Sequence, residues 1–235
     1  NGNGSLDGRV YALGLTGNKL YVGGKFTNVN NDGTVLDTAD YIAAFGLEPV
    51  IHHVKWDATG ADNGSSWTDA YTDLQSALSA ASAGDEIWVA AGTYKPTTSA
   101  DTSASFQLRD KVAIYGGFAG IESLRTQRDP GSNVTILSGD IGVTGDASDN
   151  SERVVVASTV SNLTVLDGFT ITDGRSGGVF THGAGISNFK SNVTLANLII
   201  TENHAHYGGG MYNSDSAPTI TNVTFAGNTA SFDGG

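Results

Sequence analysis

The chain has 235 residues, 24 Asp and Glu against 12 Lys and Arg, a formal net charge of −12 and no cysteine. That charge argues against nucleic acid and anionic membranes as partners and makes cations plausible ones, while the missing cysteine removes disulfides and thiol catalysis. With 32 glycines, four prolines, 15% charged and 39% hydrophobic residues, it reads as a turn-dense, folded all-β chain with no apolar run long enough to cross a bilayer.

Residues 1–50 form a small antiparallel unit in this reading. VYALGL (10–15), the turn TGNK and LYVGGKFTNV (20–29) make a hairpin pattern, and YIAAF (41–45) a third strand. Tyr21, Val22, Gly23, Gly24, Phe26 and Thr27 resemble the centre of one blade of a bacterial β-propeller repeat. A propeller needs several blades, so the resemblance implies either a slice of a longer protein or strands that pack on another sheet edge. Residues 51–84 read as a linker and then a helix over 68–83. Tyr71, Leu74, Leu78 and Ala81 share one face, Asp69 and Asp73 fall in the first turn where the helix dipole favours carboxylates, and Gly84 follows as a C-cap. A lone amphipathic helix ahead of stacked coils is expected to cover their open apolar end.

From residue 85 onward short β-branched segments alternate with turns, at 86–89, 106–108, 112–115, 134–137 and 153–157. NLTVLDGFTITDG (162–174) aligns with NVTLANLIITEN (192–203) at an offset near 29, the extra residues lying in the loop GRSGGVFTH. The last stretch is one pattern written twice, 25 residues apart: GAGISNFKSNVTLANLIITENHAHY (183–207) and GGGMYNSDSAPTITNVTFAGNTASF (208–232). Asn188 falls on Asn213, Thr194 on Thr219, Asn197 on Asn222 and Asn203 on Asn228. A fixed period means stacked units, each burying its apolar face on the next. Three brief strands with no room for a helix make each unit one turn of a parallel β-helix, with about six turns from residue 85 at this repeat length. Val193, Leu195, Leu198, Ile200, Ile220, Val223 and Phe225 are the expected interior. Asn197, Asn222, Asn203 and Asn228 sit at bends, where Asn tolerates left-handed backbone, and about 4.8 Å apart they are placed to form ladders.

From Trp56 the stretch WDATGADNGSSWTDAYTDLQSALSAASAGDEIWVAAGTY resembles the opening of bacterial pectin-lyase-like right-handed β-helix domains, in which D-L-Q-x-A-L leads into G-D-x-I-x-V-A-x-G-x-Y. Gly209-Gly210-Met211 and Phe225-Ala226-Gly227-Asn228 resemble the GG-[GA]-[IM] and F-x-x-N repeats of polymorphic outer-membrane and autotransported surface proteins; upstream, Ala184-Gly185-Ile186 and Ile200 depart from that pattern. The resemblance covers roughly residues 56–235. It implies an all-β chain: a right-handed parallel β-helix over 85–235, an N-terminal capping helix within 51–84, and the antiparallel segment 1–50. In large surface proteins of this group such helices act as spacers, adhesins or passenger stalks, although fold alone does not assign function.

Three chemistries are open. Enzymes of the resembled fold use Asp clusters that hold Ca²⁺ and an Arg or Lys that abstracts a proton. Asp167, Asp173 and Arg175 lie close in sequence, with His182, His204 and His206 nearby, yet Asp167-Gly168 and Asp173-Gly174 also read as turn dipeptides. Thr229 and Ser231 at the places of His204 and His206 show that the repeat does not need imidazole. The loop GDIGVTGDASDNSE (139–152) gathers Asp140, Asp146, Asp149 and Glu152 with Asn150, the oxygen chemistry of Ca²⁺ but without EF-hand spacing; a solvated acidic loop is the alternative. His52-His53 and His204-x-His206 are zinc-type pairs with no placed third ligand. The Asn-x-Thr triplets at 133, 162, 192 and 222 are what a bend before a strand looks like and are not read as glycosylation.

Two functions from different classes remain. One is a structural or adhesive module of an extracellular or cell-surface bacterial protein, leaning away from catalysis. Its partners would be itself, through end-to-end or edge-strand contacts that give fibres, or further coils of the same chain, because an open sheet end is a template for pairing. The other is a polysaccharide lyase or hydrolase, or a glycan binder, with a groove on the flank. Ca²⁺ is the one cofactor in view. The absence of a leader is read as numbering that begins inside a mature or excised piece.

Overall fold

The computed structural model describes residues 5–6, 9–16, 19–25, 29–31, 34–36, 42–46, 49–178 and 181–234. The chain separates into two compact units, Asn1–Pro49 and Val50–Gly235. The first holds β1 (Ser5–Leu6), β2 (Arg9–Thr16), β3 (Lys19–Lys25), β4 (Val29–Asn31), β5 (Thr34–Leu36) and β6 (Ile42–Gly46). They pair antiparallel as β2-β3-β6 and β1-β4-β5. Tyr21, Val22, Gly23 and Gly24 lie in β3; Phe26 and Thr27 fall outside the described residues.

The second unit is built from parallel strands. It runs β7 (Ile51–Val54), α1 (Leu74–Ala80), β8 (Glu86–Ala90), β9 (Gly92–Tyr94), β10 (Phe106–Gln107), β11 (Ala113–Phe118), β12 (Thr135–Ser138) and β13 (Val155–Ser158). It continues through β14 (Val165–Asp167), β15 (Thr170–Thr172), β16 (Ile186–Phe189), β17 (Thr194–Thr201), β18 (His204–Tyr207), β19 (Met211–Ser214), β20 (Thr219–Ala226) and β21 (Thr229–Asp233). Three columns stack: β7-β8-β11-β14-β17-β20, then β9-β12-β15-β17-β20, then β10-β13-β16-β19, with β18-β21 beside them. The chain visits each column in turn and returns one strand higher, so the sheets curl around a common interior. Five strands of the longest column follow residue 85, not six. Ala113 pairs with Val165, and that one coil carries two long excursions, over 119–134 and 139–154, that consume the length of another turn.

Register follows the sequence alignment. Val165 pairs with Thr194 and Ile171 with Ile200; one coil later Leu195 pairs with Ile220 and Ile200 with Phe225. Val193, Leu195, Leu198 and Ile200 are buried among Ile87, Ile114, Leu137, Leu166 and Ile186. Ile220, Val223 and Phe225 occupy the same inward register but are not enclosed. Ile220 and Phe225 are 45% and 47% exposed, because among the described residues no strand lies above β20.

The corners of each coil are fixed by backbone that turns left-handed. Gly117, Gly168, Asn197 and Asn222 have φ of 92°, 89°, 49° and 51°, an angle that Gly and Asn adopt at least cost. The glycine pair of the repeat answers a different need: a Cβ on Gly185 would lie 2.4 Å from the carbonyl oxygen of Gly210 in the next coil. Asn203, fully buried, links coils from inside. Its Nδ2 donates to the carbonyls of Ile171 and Thr201 and to Asn228 Oδ1, and its Oδ1 accepts from Gly174 N at 2.9 Å.

The helix is shorter than its apolar spacing predicts. Asp73 is the N-cap, its carboxylate accepting from Ser76 N at 2.8 Å, and Ala81, not Gly84, is the C-cap. Tyr71 bridges to Val54 in extended conformation. Asp69 is drawn into the preceding loop, accepting from Ala61 N and Ser66 Oγ. These loop bonds outcompete the first helical turns, as Asp and Ser side chains commonly do. Leu74, Ala77 and Leu78 pack on β7, β8 and β10 and join the solenoid core. Beside them His53 lies edge-on to Trp67 and Trp88, with Nδ1 3.0 Å from the carbonyl oxygen of Gly64.

Replacing Asn203 with Ala orphans several buried backbone groups, each costing about 1–3 kcal/mol. Urea denaturation is expected to show a clear loss for Asn203→Ala, against a change of about 0.5 kcal/mol or less for exposed Thr221→Ala, which sits in ordinary strand backbone. Burial lowers the His53 pKa. The unfolded chain therefore takes up that proton first, so stability holds above about pH 6.5 and declines as pH falls toward the depressed folded value. The melting midpoint should drop across that window in the parent chain and drop less in His53→Gln.

Candidate functional site

A groove of about 790 Å³ runs along the outer flank where the first two columns meet. Its floor comes from outward side chains of successive strands: Tyr115 on β11, Asp167 on β14, Thr194 and Asn197 on β17, and Asn222 and Thr224 on β20. Its wall is the excursion after β11, which carries Arg125, Arg128 and Pro130. That wall is held at its base by Glu122, whose carboxylate accepts from the backbone N–H groups of Ala119, Gly120 and Ile121. Burial alone would raise the Glu122 carboxyl, but those donors hold it below its usual range. Trp67 Nε1 donates to the Glu122 carbonyl at 2.8 Å.

One hydrogen-bonded chain crosses three coils along the floor. Asn222 Nδ2 donates to Asn197 Oδ1 at 2.7 Å, Asn197 Nδ2 to Asp167 Oδ1 at 2.8 Å, and Arg128 Nη2 to Asp167 Oδ2 at 2.6 Å. Arg128 Nη1 also reaches the carbonyls of Gly116 and Asp167. Arg125 pairs with Glu86 and donates to the Tyr115 hydroxyl at 3.1 Å, and both guanidinium groups lie over the Tyr115 ring. Burial, helped by Glu86 and Asp167 and opposed by the two arginines, raises the Tyr115 hydroxyl above its ordinary range. Two guanidiniums and two carboxylates make the groove close to neutral in a chain of net charge −12. The amide and Arg128 guanidinium donors of the groove are spent on the protein itself, and its one floor carboxylate accepts from both Asn197 and Arg128.

Asp173 and Arg175 do not line this groove. Asp173 accepts from Ser138 Oγ at 2.9 Å, in left-handed backbone with φ of 61°, and Arg175 is exposed, its backbone bridged in parallel to His204. The three residues close in sequence are therefore taken up separately. Tyr115, Arg125 and Arg128 escaped sequence reasoning because they reach the groove from another coil; the two arginines three apart in LRTQR, within an acidic chain, were the available signal.

The acidic loop satisfies its own carboxylates. Asp140 pairs with Lys95 at 3.4 Å and accepts from Gly145 N, Asp146 accepts from Ser148, Asp149 Oδ2 accepts from Val143 N, and Glu152 lies 3.8 Å from Arg153. Asp149 Oδ1 and Asn150 Oδ1 are buried without partners. Among the described residues no three His, Asp or Glu side chains are grouped to hold a metal ion. His52 pairs with Asp85, His204 bonds Thr229 and Ser231, and His206 packs on Tyr207 and Phe232, so neither zinc-type pair gains a ligand set.

Parallel strands stacked coil on coil, with a polar groove along the flank, define a β-solenoid-type protein. The chain belongs to the family described as protein of unknown function DUF1565, whose model matches residues 58–234. No curated protein and no solved structure matches it. No helix of the described residues is long and apolar enough to cross a membrane.

Since Lys95 Nζ and backbone N–H groups already serve the acidic loop, adding Ca²⁺ or EDTA should leave the melting midpoint unchanged within about 1 °C, whereas Lys95→Met should lower it and speed proteolysis within 139–152. A calcium-dependent rise of several degrees would overturn this account of the loop.

Proposed function

We propose that the chain is a right-handed parallel β-helix that works as a structural and adhesive module of an extracellular or cell-surface bacterial protein. In this reading α1 closes the N-terminal end of the coils, and repeats like those of polymorphic outer-membrane proteins supply length. The observation that carries it is the use made of the groove's polar side chains. Asn222, Asn197, Asp167 and Arg128 are bonded to one another from coil to coil, so groups that could act as reagents serve as fastenings. Ile220 and Phe225, half exposed above Leu195 and Ile200, present a surface complementary to another coil, from this chain or a neighbouring copy.

A polysaccharide lyase or hydrolase needs an acid and a base that converge on one bond, and Asp167, Asp173 and Arg175 are held by separate surroundings. The test is to incubate the chain with polygalacturonate and with neutral polysaccharides, with and without Ca²⁺, while beads coated with it are scored for attachment to bacterial or polysaccharide-coated surfaces. Attachment without new unsaturated or reducing ends is expected. Release of such ends at a rate abolished by Asp167→Asn would overturn the reading in favour of the enzyme, and beads that attach to nothing would overturn its adhesive part.

A further inference from the structure

Resting on the adhesive reading, a second outer face carries its own binding chemistry. β16 and β19 pair so that Ser187 lies beside Tyr212 and Phe189 beside Ser214. Ile186 points inward and is fully buried, so these four side chains, at the alternate positions, point out. Aromatic and hydroxyl groups therefore occupy opposite diagonals of one patch, about 5 Å across the strands and about 7 Å along them. They line a pocket of about 250 Å³ together with Arg153, His182 and Asn188. The His182 ring is set against two tyrosines, 4.4 Å from Tyr212 and stacked at 5.1 Å on Tyr207. Phe189 is 45% exposed, with Lys190 Nζ 5.1 Å from its ring centre.

We propose that this pocket binds one neutral pyranose ring of a polysaccharide. The half-buried Tyr212 ring and the exposed Phe189 ring suit the apolar C–H face of a sugar ring, and Ser187, Ser214 and the Arg153 guanidinium offer hydrogen bonds to its hydroxyls. Locally, Glu152 at 3.8 Å offsets the Arg153 guanidinium and Lys190 keeps its charge over the Phe189 ring, so the preference for a neutral sugar rests on the charge of the chain as a whole. The net charge of −12 repels acidic polymers. The face is distinct from the groove, whose polar groups are spent on one another.

The experiment is titration of the full chain with neutral gluco-, galacto-, manno- and xylo-oligosaccharides and with oligogalacturonate, followed by saturation-transfer NMR and calorimetry. At least one neutral series should bind, and Tyr212→Ala and Phe189→Ala should each weaken it about tenfold. Circular dichroism checks that both variants are folded. Ile199→Ala, exposed on the groove flank, should leave binding unchanged. No binding of any neutral series, binding of oligogalacturonate alone, or full affinity in both aromatic variants would overturn the site. The bead assay separates this from the broader reading. Attachment kept in Tyr212→Ala sinks the pocket as the adhesive contact and spares the module, and sugar binding without attachment does the reverse.

Discussion

In-register parallel stacking is the constraint from which the rest of the second unit follows. A strand's side chains alternate faces, so a slip of one residue would turn Leu195 and Ile200 outward together. Leu195 over Leu166 and Ile200 over Ile171 keep two adjoining apolar columns continuous. Burial of each such side chain contributes about 1.5–3 kcal/mol relative to exposure, far more than any single surface bond in the molecule. The corners must then bend at the same height in every coil, and this is why left-handed backbone recurs at Gly168, Asn197 and Asn222.

Polar side chains add direction to that stack. Inside, Asn203 bonds carbonyls of its own coil and the one below and Oδ1 of the one above, which an apolar residue could not do without leaving buried backbone groups unmatched. Outside, Asn197 and Asn222 make a chain of the same kind that ends on Asp167, where Arg128 supplies the charge that lets a carboxylate take the place of an amide. Lys95 plays the corresponding part for Asp140 at the second excursion. In a chain with twice as many acids as bases, each of these placed cations secures a loop that would otherwise be pushed away from the sheet.

What the sequence revealed of this was the part that repeats. Two copies of 25 residues made the register, the interior columns and the asparagine ladders legible, because each position was written twice. Where the coil is interrupted the reading failed. The excursion after β11 holds Arg125 and Arg128 over Tyr115, a contact between residues that share no periodic position and so leave no trace in spacing. The helix was overextended because Tyr71 has the right apolar spacing but is claimed by a bridge to Val54. The acidic loop looked like a cation site because composition records carboxylates but not the lysine, 45 residues away, that one of them meets. Ile220 and Phe225 were assigned the correct face and the wrong environment, since alternation specifies direction and enclosure depends on what lies above.

The flanks of such a stack differ in what repetition allows. A ladder needs the same side chain in successive coils, and on the groove flank Asn follows Asn, so the side chains satisfy one another. On the face of β16 and β19 the pairing alternates, Ser beside Tyr and Phe beside Ser, and neither pair can form a ladder. Tyr212 packs on His182 and Phe189 carries Lys190 over its ring, and neither aromatic is taken into a coil-to-coil ladder. Stability is secured elsewhere, in the columns of Leu195 and Ile200, so this face can vary at little cost to the stack. A solenoid of this kind separates its tasks by face: the interior sets the register, the groove flank fastens the coils, and the surface where the repeat is broken carries the proposed sugar site.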